Sequence, residues 1–168
     1  MKRFYILLIS LSVNTAAWSQ IVKTETDAKT GKEIKSAVTV LGNGMGQQLN
    51  FFSKGDEKLI EFAEGRILEA WPANILRKMS INIKLKNDSV YHFPIDTTKY
   101  TVMDDHGFLR SSLVAVVNDN QLAPLLNNQV RSISLGFGDQ KDLNIPPISD
   151  NNRREIKRAV TYIMGNKK

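Results

Sequence analysis

The chain has 168 residues, a mild formal net charge of +6 and no cysteine. Without cysteine, disulfide bonds, thiolate metal sites, a thiol nucleophile and a lipid-modified cysteine are all excluded. The folded chain must therefore be stabilised by core packing rather than by disulfide bonds.

Residues 1–19 have the pattern of a cleavable secretory signal peptide. Lys2 and Arg3 precede a short apolar run, and small residues lead to a cleavage site after Ser19. The run is about half as long as the roughly 20 apolar residues that span a bilayer, so an uncleaved anchor is the less favoured alternative. Cleavage would leave residues 20–168 as one exported domain without a membrane span. The loss of the two basic residues would lower the net charge from +6 to +4.

The beginning of the mature chain is predicted to form antiparallel hairpins. Residues 21–27 and 34–41 have strand patterns, and the segment 28–32 between them has turn composition. The stretch Leu49–Trp71 fits two interpretations, an interrupted helix or a hairpin that turns at 53–56. The turn residues favour the hairpin.

Two further hairpins follow. Residues 79–86 alternate strictly between apolar and polar side chains, which is typical of a half-buried strand, and 90–93 return along it. Pro94 cannot donate a backbone hydrogen bond, so the second strand ends there or lies at an edge. The next hairpin is predicted from residues 100–103 and 108–117.

The last third of the chain combines strand and helix patterns. The apolar run 113–117 lacks alternation, which predicts a central strand covered on both faces. A short helix at 121–127, a strand at 130–137 and a polar loop that ends at the prolines 146–147 come next. Residues 151–164 have the apolar stripe of an amphipathic helix. Together these elements predict an α+β fold, a strand-rich single domain of antiparallel hairpins with a short helix and a C-terminal amphipathic helix packed on the sheet.

Three consecutive potential metal ligands, Asp104, Asp105 and His106, lie in a predicted hairpin turn. Metal ligands must converge on one point, and adjacent turn residues seldom do so, so turn composition is the favoured interpretation. His92 is interpreted as a structural histidine. We predict no catalytic residue, no cofactor and no metal site. The alternative is a metal site formed by Asp104, Asp105 and His106.

Basic residues cluster on the predicted C-terminal helix at Arg153, Arg154, Lys157 and Arg158. A solvated helix face is the ordinary interpretation of such a cluster. The alternative is a docking face for a partner. Exported proteins seldom meet nucleic acid, so no nucleic-acid partner is predicted.

Two tripeptides, Asp88-Ser89-Val90 and Asp96-Thr97-Thr98, resemble a short acceptor pattern for O-glycosylation. Some Gram-negative bacteria glycosylate the hydroxyl of an Asp-Ser/Thr pair followed by an apolar residue or threonine after export. The pattern agrees with the export prediction.

The chain is therefore predicted to be an exported, non-enzymatic binding or interaction module of the bacterial periplasm or cell exterior. Its partner would be an envelope protein or an extracellular ligand that the residues do not identify. The alternative is a hydrolase or metal-dependent enzyme that uses Asp104, Asp105 and His106.

Overall fold

The computed structural model describes residues 21–41, 46–64, 78–101, 110–138, 140–145 and 147–165. Within these ranges the strands are β1 (Ile21–Thr26), β2 (Glu33–Leu41), β3 (Gln47–Lys54), β4 (Glu57–Glu64), β5 (Met79–Leu85), β6 (Val90–Pro94), β7 (Thr97–Thr101), β8 (Arg110–Val117), β9 (Val130–Phe137) and β10 (Gln140–Asn144). The helices are α1 (Asp119–Asn127) and α2 (Asp150–Met164). This arrangement confirms the predicted α+β fold class.

Six of the strands form an antiparallel sheet, here called sheet A, in the order β1-β2-β3-β4-β8-β7. One row of apolar residues crosses its centre, with Ala37 opposite Phe51, Phe51 opposite Ile60 and Ile60 opposite Ala115. All four side chains are buried. The row therefore marks the inner face of sheet A.

The other four strands form sheet B, in the order β10-β9-β5-β6. The alternation along β5 buries Ile81 and Ile83 on the inner face and directs Ser80 and Lys84 outward. β6 lies at an edge and ends at Pro94, as the missing N–H of proline requires.

Helix α2 packs mainly on β2 and also contacts α1 and β3. Its apolar stripe enters a core cluster that includes residues of both sheets and both helices. Asn152 fixes the start of the helix, because its amide Nδ2 donates to the carbonyl oxygen of Val40 at 2.6 Å. The helix begins after the capping residue Ser149 and ends before Gly165, whose φ of 70° favours glycine. No helix in the described ranges has both the length and the apolar character needed to cross a bilayer.

The hairpin interpretation of Leu49–Trp71 is confirmed as far as the structure describes this stretch. β3 pairs antiparallel with β4 around a turn at Gly55 and Asp56. Residues 65–71 lie outside the described residues.

Two predictions about strands are wrong. The segment predicted as a polar loop contains β10, which pairs with β9 at the edge of sheet B. The run 113–117 is not covered on both faces throughout, because the side chain of Val116 is 51% exposed. Val114 on the same outer face is buried, so the outer face of β8 is covered at Val114 and exposed at Val116, towards the end of the strand.

Candidate functional site

The outward face of α2 is basic. Ile156, Ala159, Val160 and Ile163 turn one side of the helix into the core. Arg154, Lys157 and Arg158 are exposed on the opposite side. Their spacing of three and four residues places them next to one another on the helix surface.

These cations line a groove of about 580 Å³ that α2 forms with β2. We call this cavity the basic groove. Its charged and polar lining consists of Lys35, Arg154, Lys157, Arg158, Thr161 and Tyr162. Lys35 belongs to β2, so the groove joins a strand and a helix that are far apart in sequence. No carboxylate is among the described residues that line it.

A second depression of about 330 Å³ continues this basic surface. Lys86, at the turn after β5, lies at this depression, and Arg154 and Lys157 line both cavities. The two depressions therefore form one continuous basic surface that includes Lys35 and Lys86. Asp150 is the one carboxylate among the described residues of the second depression, and it is paired with Arg153.

The charges on this surface are unequally neutralised. Lys35 forms an ion pair with Glu33 at 2.9 Å. The side chains of Arg154, Lys157 and Arg158 make no ion pair or hydrogen bond with any described residue. Within the described part of the chain, nothing neutralises these three cations, so they can pair with an anion from outside the molecule.

Arg153 has a different role from its basic neighbours. Its Nε donates to the backbone carbonyl oxygen of Val130 at 2.9 Å, and its Nη1 pairs with Asp150. The first of these contacts joins α2 to the first residue of β9. Of the four basic residues singled out in the sequence, the structure places Arg154, Lys157 and Arg158 in the basic groove and uses Arg153 to anchor the helix.

Tyr162 adds an aromatic side chain to the C-terminal end of the basic groove. Its ring is half-buried against the core, and its hydroxyl is hydrogen-bonded to the Oγ1 of Thr24 on β1. The ring is therefore held in place by packing on one side and by a hydrogen bond at its tip.

The outer face of sheet B carries a second group of polar side chains, which is fully interlinked. Asn82 donates its amide Nδ2 to Asp142 at 2.9 Å, and Ser134 donates to the same carboxylate oxygen at 2.9 Å. The Oδ1 of Asn82 lies 2.7 Å from the hydroxyl of Ser80 and 2.8 Å from the Nδ1 of His92. Because an amide oxygen only accepts, the Nδ1 of His92 carries a proton.

This network orients the His92 ring without forming a metal centre. No group of three or more potential metal ligands is present among the described residues. Asp104, Asp105 and His106, the alternative metal ligands, lie outside the part of the chain that the structure describes.

Comparisons with protein families, with curated proteins and with solved structures found nothing that matches this chain.

Proposed function

We propose that this protein is an exported, non-enzymatic binding module that holds an anionic ligand in the basic groove. The observation that carries the proposal is a set of three cations on α2 whose side chains bond to no described residue. They share one cavity with Lys35 and with no described carboxylate. Like charges three and four residues apart on a helix destabilise it by about 0.2–0.5 kcal/mol per pair. A bound anion would remove this repulsion.

The chemistry of the groove favours carboxylate or phosphate groups. The guanidinium groups of Arg154 and Arg158 can each donate two parallel hydrogen bonds to such a group. The basic surface extends over both depressions, from Lys35 to Lys86. Several cations spread over two adjoining depressions suit an acidic polymer with repeated anionic groups better than a single small ion.

The signal-peptide pattern of residues 1–19 supports export, and the absence of cysteine is compatible with an oxidising compartment. The acidic polymer would then be a component of the cell envelope or its surroundings.

Binding to labelled poly-L-glutamate, polyphosphate and neutral dextran tests the ligand class. We expect both anionic polymers to bind and dextran not to bind. The variant Lys157→Gln/Arg158→Gln should weaken binding about thirtyfold, at ~1 kcal/mol for each cation that faces an anionic surface. The control Lys29→Gln/Lys141→Gln changes the net charge equally at two exposed residues that do not line the groove.

Two results would overturn the ligand assignment. Equal losses in the groove variant and its control would mean that only the net charge matters. Tighter binding of duplex DNA than of either acidic polymer at the same salt concentration would assign the surface to nucleic acid.

Export is tested by the mass of the protein recovered from the cell envelope. Cleavage after Ser19 predicts a mature chain that begins at Gln20. Replacing Leu7 and Leu8 with arginine interrupts the apolar run and should retain the full-length chain in the cytoplasm. An unprocessed wild-type chain in the cytoplasm would contradict export.

A further inference from the structure

The turn between β5 and β6 presents one of the two Asp-Ser/Thr tripeptides at the surface. The Asp88 N–H donates to the carbonyl oxygen of Leu85 at 3.0 Å, and the Leu85 N–H donates to that of Ser89 at 2.9 Å. Asp88 has a φ of 65°. The Ser89 N–H also donates to the Oδ1 of Asn87 at 3.2 Å. These bonds hold Asp88 and Ser89 in one defined conformation.

The three side chains of this tripeptide differ in their bonding partners and in their exposure. The exposed carboxylate of Asp88 pairs with Lys84 at 3.0 Å and with Arg131 at 2.7 Å. The hydroxyl of Ser89 has no hydrogen-bond partner among the described residues. Val90 is 44% exposed, although it is apolar. The tripeptide therefore offers a hydroxyl that no described residue binds, between an oriented carboxylate and an exposed apolar side chain.

The second tripeptide, residues 96–98, is hydrogen-bonded to β8 of sheet A. Asp96 accepts a hydrogen bond from the Val116 N–H at 2.6 Å, and its own N–H donates to the carbonyl oxygen of Val114 at 2.9 Å. Thr97 and Thr98 lie in β7, paired with residues of β8. An enzyme that binds an acceptor segment would have to break this pairing to reach Thr97.

We propose that Ser89 is an O-glycosylation site and that Thr97 is not. The inference rests on the proposed export, because the modification would follow translocation. The donor would be an oligosaccharide linked to a lipid diphosphate. The Ser89 Oγ forms a bond to the anomeric carbon of the sugar while the bond from that carbon to the diphosphate oxygen breaks. The hydroxyl proton passes to a base of the transferase, and the lipid diphosphate leaves.

The test is mass spectrometry of the chain purified from the envelope of the organism that encodes it. Trypsin cleaves after Lys86 and Lys99, so one peptide, residues 87–99, contains both tripeptides. We expect this peptide to carry a glycan in wild type and in Thr97→Ala, and to be unmodified in Ser89→Ala. Asn87→Gln should keep the glycan, which separates modification of Ser89 from N-glycosylation of the overlapping Asn87-Asp88-Ser89 sequence.

The same sample distinguishes failure of this inference from failure of export. A chain that begins at Gln20 with an unmodified 87–99 peptide overturns the Ser89 assignment and leaves export intact. A full-length unmodified chain overturns both. A glycan that persists in Ser89→Ala and disappears in Thr97→Ala would reverse the assignment. Loss in both Asn87→Gln and Ser89→Ala would replace it with N-glycosylation, because that acceptor sequence needs both residues.

Discussion

The outer face of sheet B and the outward face of α2 are both polar, but they differ in how their polar groups are satisfied. On sheet B, the side chains of Asn82, Asp142 and Ser134 bond to one another across three strands. On α2, the side chains of Arg154 and Lys157 bond to no described residue. A surface whose polar side chains bond to one another has few hydrogen-bonding groups left for a ligand. A surface whose charged side chains have one sign and no described partner has many. We therefore assign a structural role to the first and binding to the second.

The largest expected effect concerns the network on sheet B. A Cβ at Gly136 would lie 2.6 Å from the Ser80 Oγ and 2.7 Å from the Asn82 Nδ2. Gly136→Ala should therefore displace both side chains and lower the free energy of unfolding by about 2–3 kcal/mol, measured by urea denaturation. Its binding to poly-L-glutamate should not change.

Gly31→Ala is the matched control. No atom lies within 4 Å of a Cβ built there, and only its φ of +66° opposes the substitution. We expect a loss of about 1 kcal/mol. Gly136 has no positive φ, so an unchanged stability of Gly136→Ala would show that the contacts with Ser80 and Asn82 contribute nothing.

The adjacent residues Arg153 and Arg154 allow a structural role and a binding role to be compared within α2. Arg153→Met leaves the carbonyl oxygen of Val130 without this donor and should cost about 1–2 kcal/mol of unfolding free energy. Arg154→Met should change stability by less than about 0.5 kcal/mol but weaken poly-L-glutamate binding about fivefold. Denaturation and binding titrations of both variants check this. The reverse pattern would refute the division between an anchoring and a binding arginine.

A smaller effect is expected at the edge of the basic groove. Glu33 neutralises part of the charge of Lys35 through an ion pair. Glu33→Gln should therefore strengthen poly-L-glutamate binding, by no more than the ~1 kcal/mol that a surface ion pair contributes. Unchanged binding by this variant would mean that Lys35 does not face the ligand.

The smallest effect is a dependence of stability on acid pH. Asp27 is paired with Lys54 and accepts hydrogen bonds from the N–H groups of Lys29 and Thr30. The hydrogen bond from Lys54 is the main cause that lowers the pKa of Asp27 to about 2 from 3.8. Its contribution to folding is thus fully present above pH 3.8 and is lost as the pH falls towards 2.

Thermal unfolding between pH 5 and pH 2 measures this contribution. The difference in Tm between wild type and Asp27→Asn should be largest at pH 5 and shrink as the pH is lowered. A difference that does not vary with pH would show that the carboxylate is not stabilised by its partners.

The sequence predicts most elements of the fold because most strands alternate or carry long apolar runs. β10 was missed because Gln140–Asn144 contains one apolar residue, Leu143, which is itself 47% exposed. A register shift between Gln140 and Leu143 further removes the regular alternation. Such an edge strand is specified by its partner β9 rather than by its own residues.

The basic groove was predictable only in part. Helical periodicity alone places Arg154, Lys157 and Arg158 on one face. The contributions of Lys35 and Lys86 depend on how β2 and the turn after β5 pack near α2, which no local pattern encodes. Arg153 could not be separated from its neighbours in the sequence, because its contact with β9 is long-range.

The salt dependence of poly-L-glutamate binding tests the central claim most directly. When cations of a protein neutralise a polyanion, the logarithm of the affinity falls linearly with the logarithm of the salt concentration, with a slope of about one per contact. We predict that Lys157→Gln/Arg158→Gln reduces this slope by about two and that Lys29→Gln/Lys141→Gln leaves it unchanged. An unchanged slope in the groove variant would contradict the assignment of anion binding to this groove.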